Sequence, residues 1–245
     1  MSAVPIARWR CPPQIVLVGV DFGDASARAV ALAGVVASAF HARLRALHAE
    51  RFEPPPYFTV EQIERLEAER RTAQARAADQ LVAFAAEASA CTVEPAIADE
   101  PPVEALLEAA AAADLIVLGT HGRRGPGRWW LGSVAERVVG AAPIPVLVTR
   151  AATAPPQEVF ERIAIVRDAG DASAATRAYA EQLAAIAGGV VTDGGVVAQC
   201  DAGALQQASL VVVATSRDRL SGGVADSVAR LLGACQRPVL FIPEG

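Results

Sequence analysis

The sequence predicts an α/β protein: a doubly wound parallel sheet, repeated in tandem, with the second copy truncated. Three observations predict it. Short apolar runs rich in Val, Ile and Leu alternate with amphipathic helical stretches, the pattern of a parallel sheet covered on both faces. The segment Asp21-Phe-Gly-Asp-Ala-Ser26 returns as Asp168-Ala-Gly-Asp-Ala-Ser173, each time after an apolar strand. A glycine-bearing turn, Gly119-Thr-His-Gly122 and then Gly132-Ser133, joins an apolar strand to a helix.

Taken in order, Ile15-Val-Leu-Val-Gly-Val20 reads as a buried strand that runs through Asp21–Ser26 into a helix from Ala27 to Phe40. Leu44 to Ala49 is the next strand, followed by a Pro-rich loop, Glu53 to Tyr57. A long helix from about Val60 to Ala90 carries Glu and Arg on a solvated face, with Leu81, Val82 and Phe84 on its core or interface side. Val93 to Ala98 is a strand and Val103 to Ala113 a helix. Asp114 to Leu118 is a strand, Ser133 to Val139 a helix, and Pro143 to Val148 the closing strand. The Pro-containing linker Ala151 to Gln157 separates two domains, 1–150 and 158–245.

In the second domain Ile163–Val166, Ser209–Ala214, Ser227–Gly233 and Pro238–Ile242 echo elements of the first. Between the Asp-Ala-Ser element and the penultimate strand there are 87 residues in the first half, Ala27 to Ala113, and 35 in the second, Ala174 to Ala208. About one β-α unit is therefore missing. The short apolar pairs Val190-Val191 and Val196-Val197, with glycines between them, are all that remains there.

Composition narrows the function. The chain has 245 residues, 53% of them hydrophobic, and a formal charge of −5, which disfavours nucleic acid and anionic membrane surfaces as partners. No run of about 20 apolar residues predicts a membrane span, and residues 1–13 lack the apolar core of a secretory signal. Cys11, Cys91, Cys200 and Cys235 show no metal-ligand spacing, and the three histidines His41, His48 and His121 add none, so no metal site is expected and a reduced, cytoplasmic interior is.

The glycine turn carries the chemistry. Glycines let a backbone approach a ligand, and the helix start at Gly132-Ser133 offers unpaired N–H groups with partial positive charge, so an anion fits there without a lysine. That matters because all 22 basic residues are arginines and no Walker-type loop exists. A ligand-free glycine turn is the competing reading. Asp21, at a strand's carboxyl end, reads as a ligand contact; Asp24 reads as the cap of the following helix. His121 reads equally as a phosphate donor or base and as an exposed loop residue; Arg123, Arg124 and Arg128 read as phosphate clamps or as a basic loop that steers anions, and Trp129-Trp130 as packing beneath the loop, as a lid or as part of a protein interface. Ser221-Gly-Gly-Val-Ala-Asp-Ser227 resembles the phosphate loop of ATP pyrophosphatases, with one residue too many and before the wrong element. In the second half Ala214, Arg217 and Asp226 stand at the glycine positions. A carboxylate about 4 Å from a phosphate opposes it by roughly 4 kcal/mol at an effective dielectric near 20, more than the roughly 0.3–1 kcal/mol of a helix dipole. One ligand site per chain is expected, in the first domain.

Residues 14 to 149 resemble the universal stress protein family in its nucleotide-binding branch. The resemblance rests on Asp21 at a strand end, Leu47-His48-Ala49, the spacing of Gly119, Gly122, Gly132 and Ser133, and the Pro-x-Pro-Val strand. It implies an adenine nucleotide alpha hydrolase-like fold, with Asp21 on the adenine side, Ala49 bordering the base, and Leu118, Gly119, Gly122, Gly132, Ser133 and Val134 around ribose and phosphates. Ala49 stands where Val is common and Gly23 where Ser is common, which loosens the adenine pocket. The implied ligand is ATP, with or without Mg, in a cytoplasmic stress-response protein that acts on an unknown protein partner through nucleotide-dependent contacts. The degenerate copy is expected to pack on the intact one as an intramolecular pair in place of a dimer partner, with a homodimer left open. An empty interaction module and a slow ATPase are the other functions left open.

Overall fold

Runs with no polar interruption become the innermost strands, as burial on both faces requires. The computed structural model describes residues 9–51, 60–120, 124–125, 128–129, 131–149, 158–167, 173–196, 205, 207–216 and 237–244. The Pro-rich loop at 53–57, the linker at 151–157, the serine-glycine segment at 221–227 and the helix expected at 227–233 lie outside them.

The first half runs β1 (Ile15–Gly19), α1 (Asp24–Phe40), β2 (Arg43–Ala49), α2 (Val60–Ala88), β3 (Val93–Ala98), α3 (Pro102–Ala109) with a 3-10 turn at Ala110–Ala112, and β4 (Leu115–Gly119). A two-residue hairpin follows, β5 (Arg124–Gly125) and β6 (Arg128–Trp129), then α4 (Ser133–Ala141) and β7 (Val146–Thr149). The second half holds β8 (Arg162–Arg167), α5 (Ala174–Ile186), β9 (Val190–Val196), β10 (Leu210–Ser216) and β11 (Val239–Glu244).

All strands but the hairpin join one nine-stranded sheet in the order β3-β2-β1-β4-β7-β11-β10-β8-β9. Every pairing is parallel except the central one, β7 against β11, where Leu147 stands opposite Leu240, Val148 opposite Val239 and Val146 opposite Phe241. The two halves pair at the same register: Ile15 opposite Arg43 and Val16 opposite Leu115 in one, Arg162 opposite Val190 and Ile163 opposite Leu210 in the other. Even the strand starts are fastened alike. The Asp114 carboxylate accepts the N–H groups of Gln14 and Ile15 at 2.9 and 3.0 Å, and Ser209 Oγ accepts the Arg162 N–H at 2.8 Å.

Side chains alternate across the sheet, so each face has its own core. Val16, Val18, Leu44 and Val117 pack under α1 and α2, and on the same face Ile163, Ile165, Tyr179 and Leu183 continue the layer in the second half. Leu17, Ile116 and Val146 pack under α3 and α4, continued by Val166, Val211 and Phe241. On the first face Phe40 and Phe160 meet at 5.1 Å, and Trp9 lies edge-on to Tyr179 at 6.3 Å. The Cys11 thiol beside them is pushed up to about 12 by burial.

Several expectations change. Asp24 does not cap α1: Gly23 is the cap residue, without a side-chain bond, and Asp24 lies inside the first turn. Its counterpart segment does place a cap, but through Ser173, whose side chain accepts the Thr176 N–H at 3.1 Å. Ser173→Ala is expected to lower stability by about 1 kcal/mol, read as a shift in the urea midpoint with unchanged slope. Val190-Val191 and Val196 lie on one continuous strand, β9, because a bulge at Gly194-Gly195, with Gly195 at φ +79°, absorbs the polar interruption, while Val197 lies outside the described residues. The segment between Gly122 and Gly132, expected as an open loop, contains the β5–β6 hairpin. Finally, among the described side chains of α2 the fully buried ones, Leu81 and Ala85, lie in its C-terminal part. Its middle is tethered by Arg70 and Gln74, which donate to the Asp99 carboxylate at 2.6 and 2.7 Å.

Candidate functional site

Open α/β sheets bind ligands outside the carboxyl ends of the strands, at the point where the strand order reverses. Here that point lies between β1 and β4, since the chain moves outward to β2 and β3 and then returns past β1 to β4. A cleft of about 140 Å³ opens there, lined by the ends of β1, β2 and β4 and by the first turns of α3 and α4. Small-molecule sites typically measure about 300–1,000 Å³, so this space encloses part of a ligand and leaves the rest at the rim.

The floor is open because Gly19 has no side chain: a Cβ there would lie 2.8 Å from Leu118 Cδ2. The loop after β1 is held in an unusual shape. Phe22 adopts φ +60°, which costs a non-glycine residue about 1–2 kcal/mol. Aromatic packing offsets it, with the Phe22 ring 4.6 Å from the His48 ring and 5.5 Å from that of Phe84. His48 Nδ1 is paired with the Val20 carbonyl at 2.9 Å, and Asp21 accepts the Gly23 N–H at 2.9 Å. These contacts stand Asp21 at the rim of the cleft, exposed to solvent.

Of the residues singled out from the sequence, Asp21, Ala49, Leu118, Gly119 and Val134 line the cleft together. Gly132 and Ser133 begin α4 immediately before Val134 and are exposed beside the cleft, outside its wall. Gly132 sits at φ +87°, a conformation that favours glycine. Gly122, His121, Arg123 and Trp130 lie outside the described residues, as do Arg217 and Asp226, and for Arg124, Arg128 and Trp129 only the backbone is described. Gly119 has a packing reason to be glycine that the sequence did not show. A Cβ on it would lie 1.9 Å from the Ala25 carbonyl oxygen, so the first turn of α1 by itself demands a glycine there.

Sequence reasoning passed over Ser26, Pro102, Leu106 and Ala135, which complete the wall. The helix itself was expected from Val103, one residue late, but nothing local says that α3 leans over β1. Outside the cleft's lining, Arg137 of α4 donates to Glu104 of α3 at 2.8 Å and ties the two flanking helices together. A bond from its own backbone N–H, and then Arg137, hold the Glu104 carboxyl below the usual carboxylate range. The cleft thus offers an apolar slot, a carboxylate at one rim and the uncapped start of α4 at the other, a set suited to a flat, polar-edged ring carrying an anionic tail.

The universal stress protein family model matches residues 13–150, more than half the chain and the whole of the cleft. The chain belongs to that family. This universal stress protein is 38% identical over 141 residues to the universal stress protein in the QAH/OAS sulfhydrylase 3' region of Thermus aquaticus, a match covering 55% of this chain and 97% of that one. Its fold is similar to that of a universal stress protein from Archaeoglobus fulgidus, with a TM-score of 0.67 at 14% identity over 95% of this chain and 99% of the other. A universal stress protein solved in complex with cAMP is 29% identical, with a TM-score of 0.41 over 57% of this chain and 98% of its own. No helix among the described residues is long and apolar enough to cross a membrane.

Proposed function

We propose that this universal stress protein binds one adenine nucleotide, ATP, in the cleft between β1 and β4, and acts in the stress response through cytoplasmic, nucleotide-dependent contacts with another protein. The observation that carries the reading is the convergence of Asp21, Ala49, Leu118, Gly119 and Val134 on one slot at the sheet's reversal point. The base would lie between Ala49 and Leu106 with Asp21 at its polar edge, and ribose and phosphates would run to Gly132-Ser133 and the Gly122 turn. ATP is taken to bind with or without Mg; among the described residues no group of three or more His, Cys, Asp or Glu is placed to hold a metal ion.

The second half, 158–245, is read as a truncated copy of domain 1–150, held to it across the β7–β11 seam in place of a dimer partner. Equal strand registers support this, as does the self-matching seam, where Leu147 meets Leu240. Register carries Val166 to the position of Gly19 and Ala214 to that of Gly119; Val166 is fully buried, so a side chain occupies the space that the first half leaves open.

The test is mass analysis of small molecules retained by the natively purified protein, followed by calorimetric titration with ATP, ADP, AMP, adenosine and cAMP. One adenine nucleotide per chain is expected, and Ala49→Phe is expected to weaken it about 10-fold or more. Two nucleotides per chain would refute the truncated-copy reading. No binding at millimolar nucleotide would leave the empty interaction module, and rapid turnover would favour the ATPase.

A further inference from the structure

Two helices flank the cleft, and outside its lining a pair of opposite charges joins them: Glu104 in the first turn of α3 and Arg137 in the second turn of α4. Pro102 and Leu106 of α3 form one wall, Val134 and Ala135 of α4 the other. Glu104 lies between the first two in sequence and Arg137 follows Val134 by three residues and Ala135 by two, and their side chains meet at 2.8 Å. Arg51, two residues after the wall residue Ala49, is a second cation that acts on the Glu104 carboxylate. Helical side chains lean toward the helix N-terminus, so Arg137 leans toward Gly132-Ser133, where an anionic tail would arrive. The Arg137 and Glu104 side chains are 61% and 49% exposed, and a pair this wet is readily broken.

We propose that Glu104 is a gate on the phosphate end of the cleft: it holds Arg137 while the site is empty, and incoming phosphates take Arg137 from it. The inference rests on the adenine-nucleotide reading and adds to it a residue that selects for the number of phosphates. A guanidinium fork matches two phosphate oxygens, and a polyphosphate carries more charge than one carboxylate, so the exchange favours ATP over adenosine. Glu104 sets the threshold, because a ligand without phosphates cannot compete for the arginine.

The test is titration of the full chain and its variants with ATP and with adenosine at low and at physiological salt. Glu104→Gln is expected to tighten ATP by about 3- to 5-fold with adenosine unchanged. Arg137→Gln is expected to weaken ATP by about 10-fold, again with adenosine unchanged, and the double variant to match Arg137→Gln alone. The gain in Glu104→Gln should shrink as salt rises. Both positions are surface positions, and a thermal melt confirms that each variant is folded. An ATP-to-adenosine ratio that stays constant across the variants, while the wild type binds both, overturns the gate alone. A wild type that binds neither overturns the nucleotide reading and the gate with it.

Discussion

Replacing Phe241 by Ala is expected to destabilise the whole chain by about 3–5 kcal/mol, the cost of truncating a large buried aromatic side chain that its surroundings cannot collapse to fill. Phe241 is 1% exposed and stands on β11 between Val146 of β7 and Val213 of β10, so it packs at the junction of the two halves. Because both core layers run from one half into the other, unfolding should remain a single transition. Urea titration followed by far-ultraviolet circular dichroism and by tryptophan fluorescence checks this, the fluorescence coming from Trp9, seated against Tyr179 on the first face, together with Trp129 and Trp130. Coincident midpoints shifted together are the expected result. Two separated transitions would mean that the seam is a weak contact between independent domains.

Gly119→Ala is expected to cost about 3 kcal/mol or more, at the upper end of overpacking changes, although it adds a single methyl group. The atom it meets is the Ala25 carbonyl oxygen, 1.9 Å away, which is backbone and cannot rotate aside as a side chain could. Relief would require α1 to lift from β4, and with it the loop that holds Asp21. Gly132→Ala is the control. There a Cβ meets nothing within 4 Å, and only the left-handed backbone opposes it, for about 1–2 kcal/mol. Thermal melts of the two variants should therefore separate clearly. Equal losses would mean that the close approach of α1 to β4 is not a rigid feature of the fold. Any loss of ligand in Gly119→Ala has to be weighed against this fold defect, whereas ligand loss in Gly132→Ala reads directly on the start of α4.

Much of the molecule was legible in the sequence because its signals are local. Leu115–Gly119 and Ile15–Gly19 are apolar without interruption, and that alone makes them inner strands. The strand at Val93–Ala98 and the start of α2 at Val60 lie where composition placed them. The misreadings share a cause. Asp24 has the side chain of a cap, yet the turn begins one residue earlier and leaves it inside the helix. β9 looked broken because two glycines and an aspartate interrupt it, and only pairing with β8 shows that the bulge keeps both ends in register. Part of the cleft wall went unseen for the same reason, since Pro102, Leu106 and Ala135 are near Asp21 only in space.

Strand and helix identity, the order of elements and the residues that carry the family resemblance were determined by the sequence itself, because each depends on side-chain polarity and spacing over a few neighbours. The antiparallel meeting of β7 and β11, the demand of α1 for a glycine at 119 and the bond between Glu104 and Arg137 were decided by tertiary structure alone. Each depends on which surfaces of distant segments come within a few ångströms of one another, and no short window of residues contains that distance.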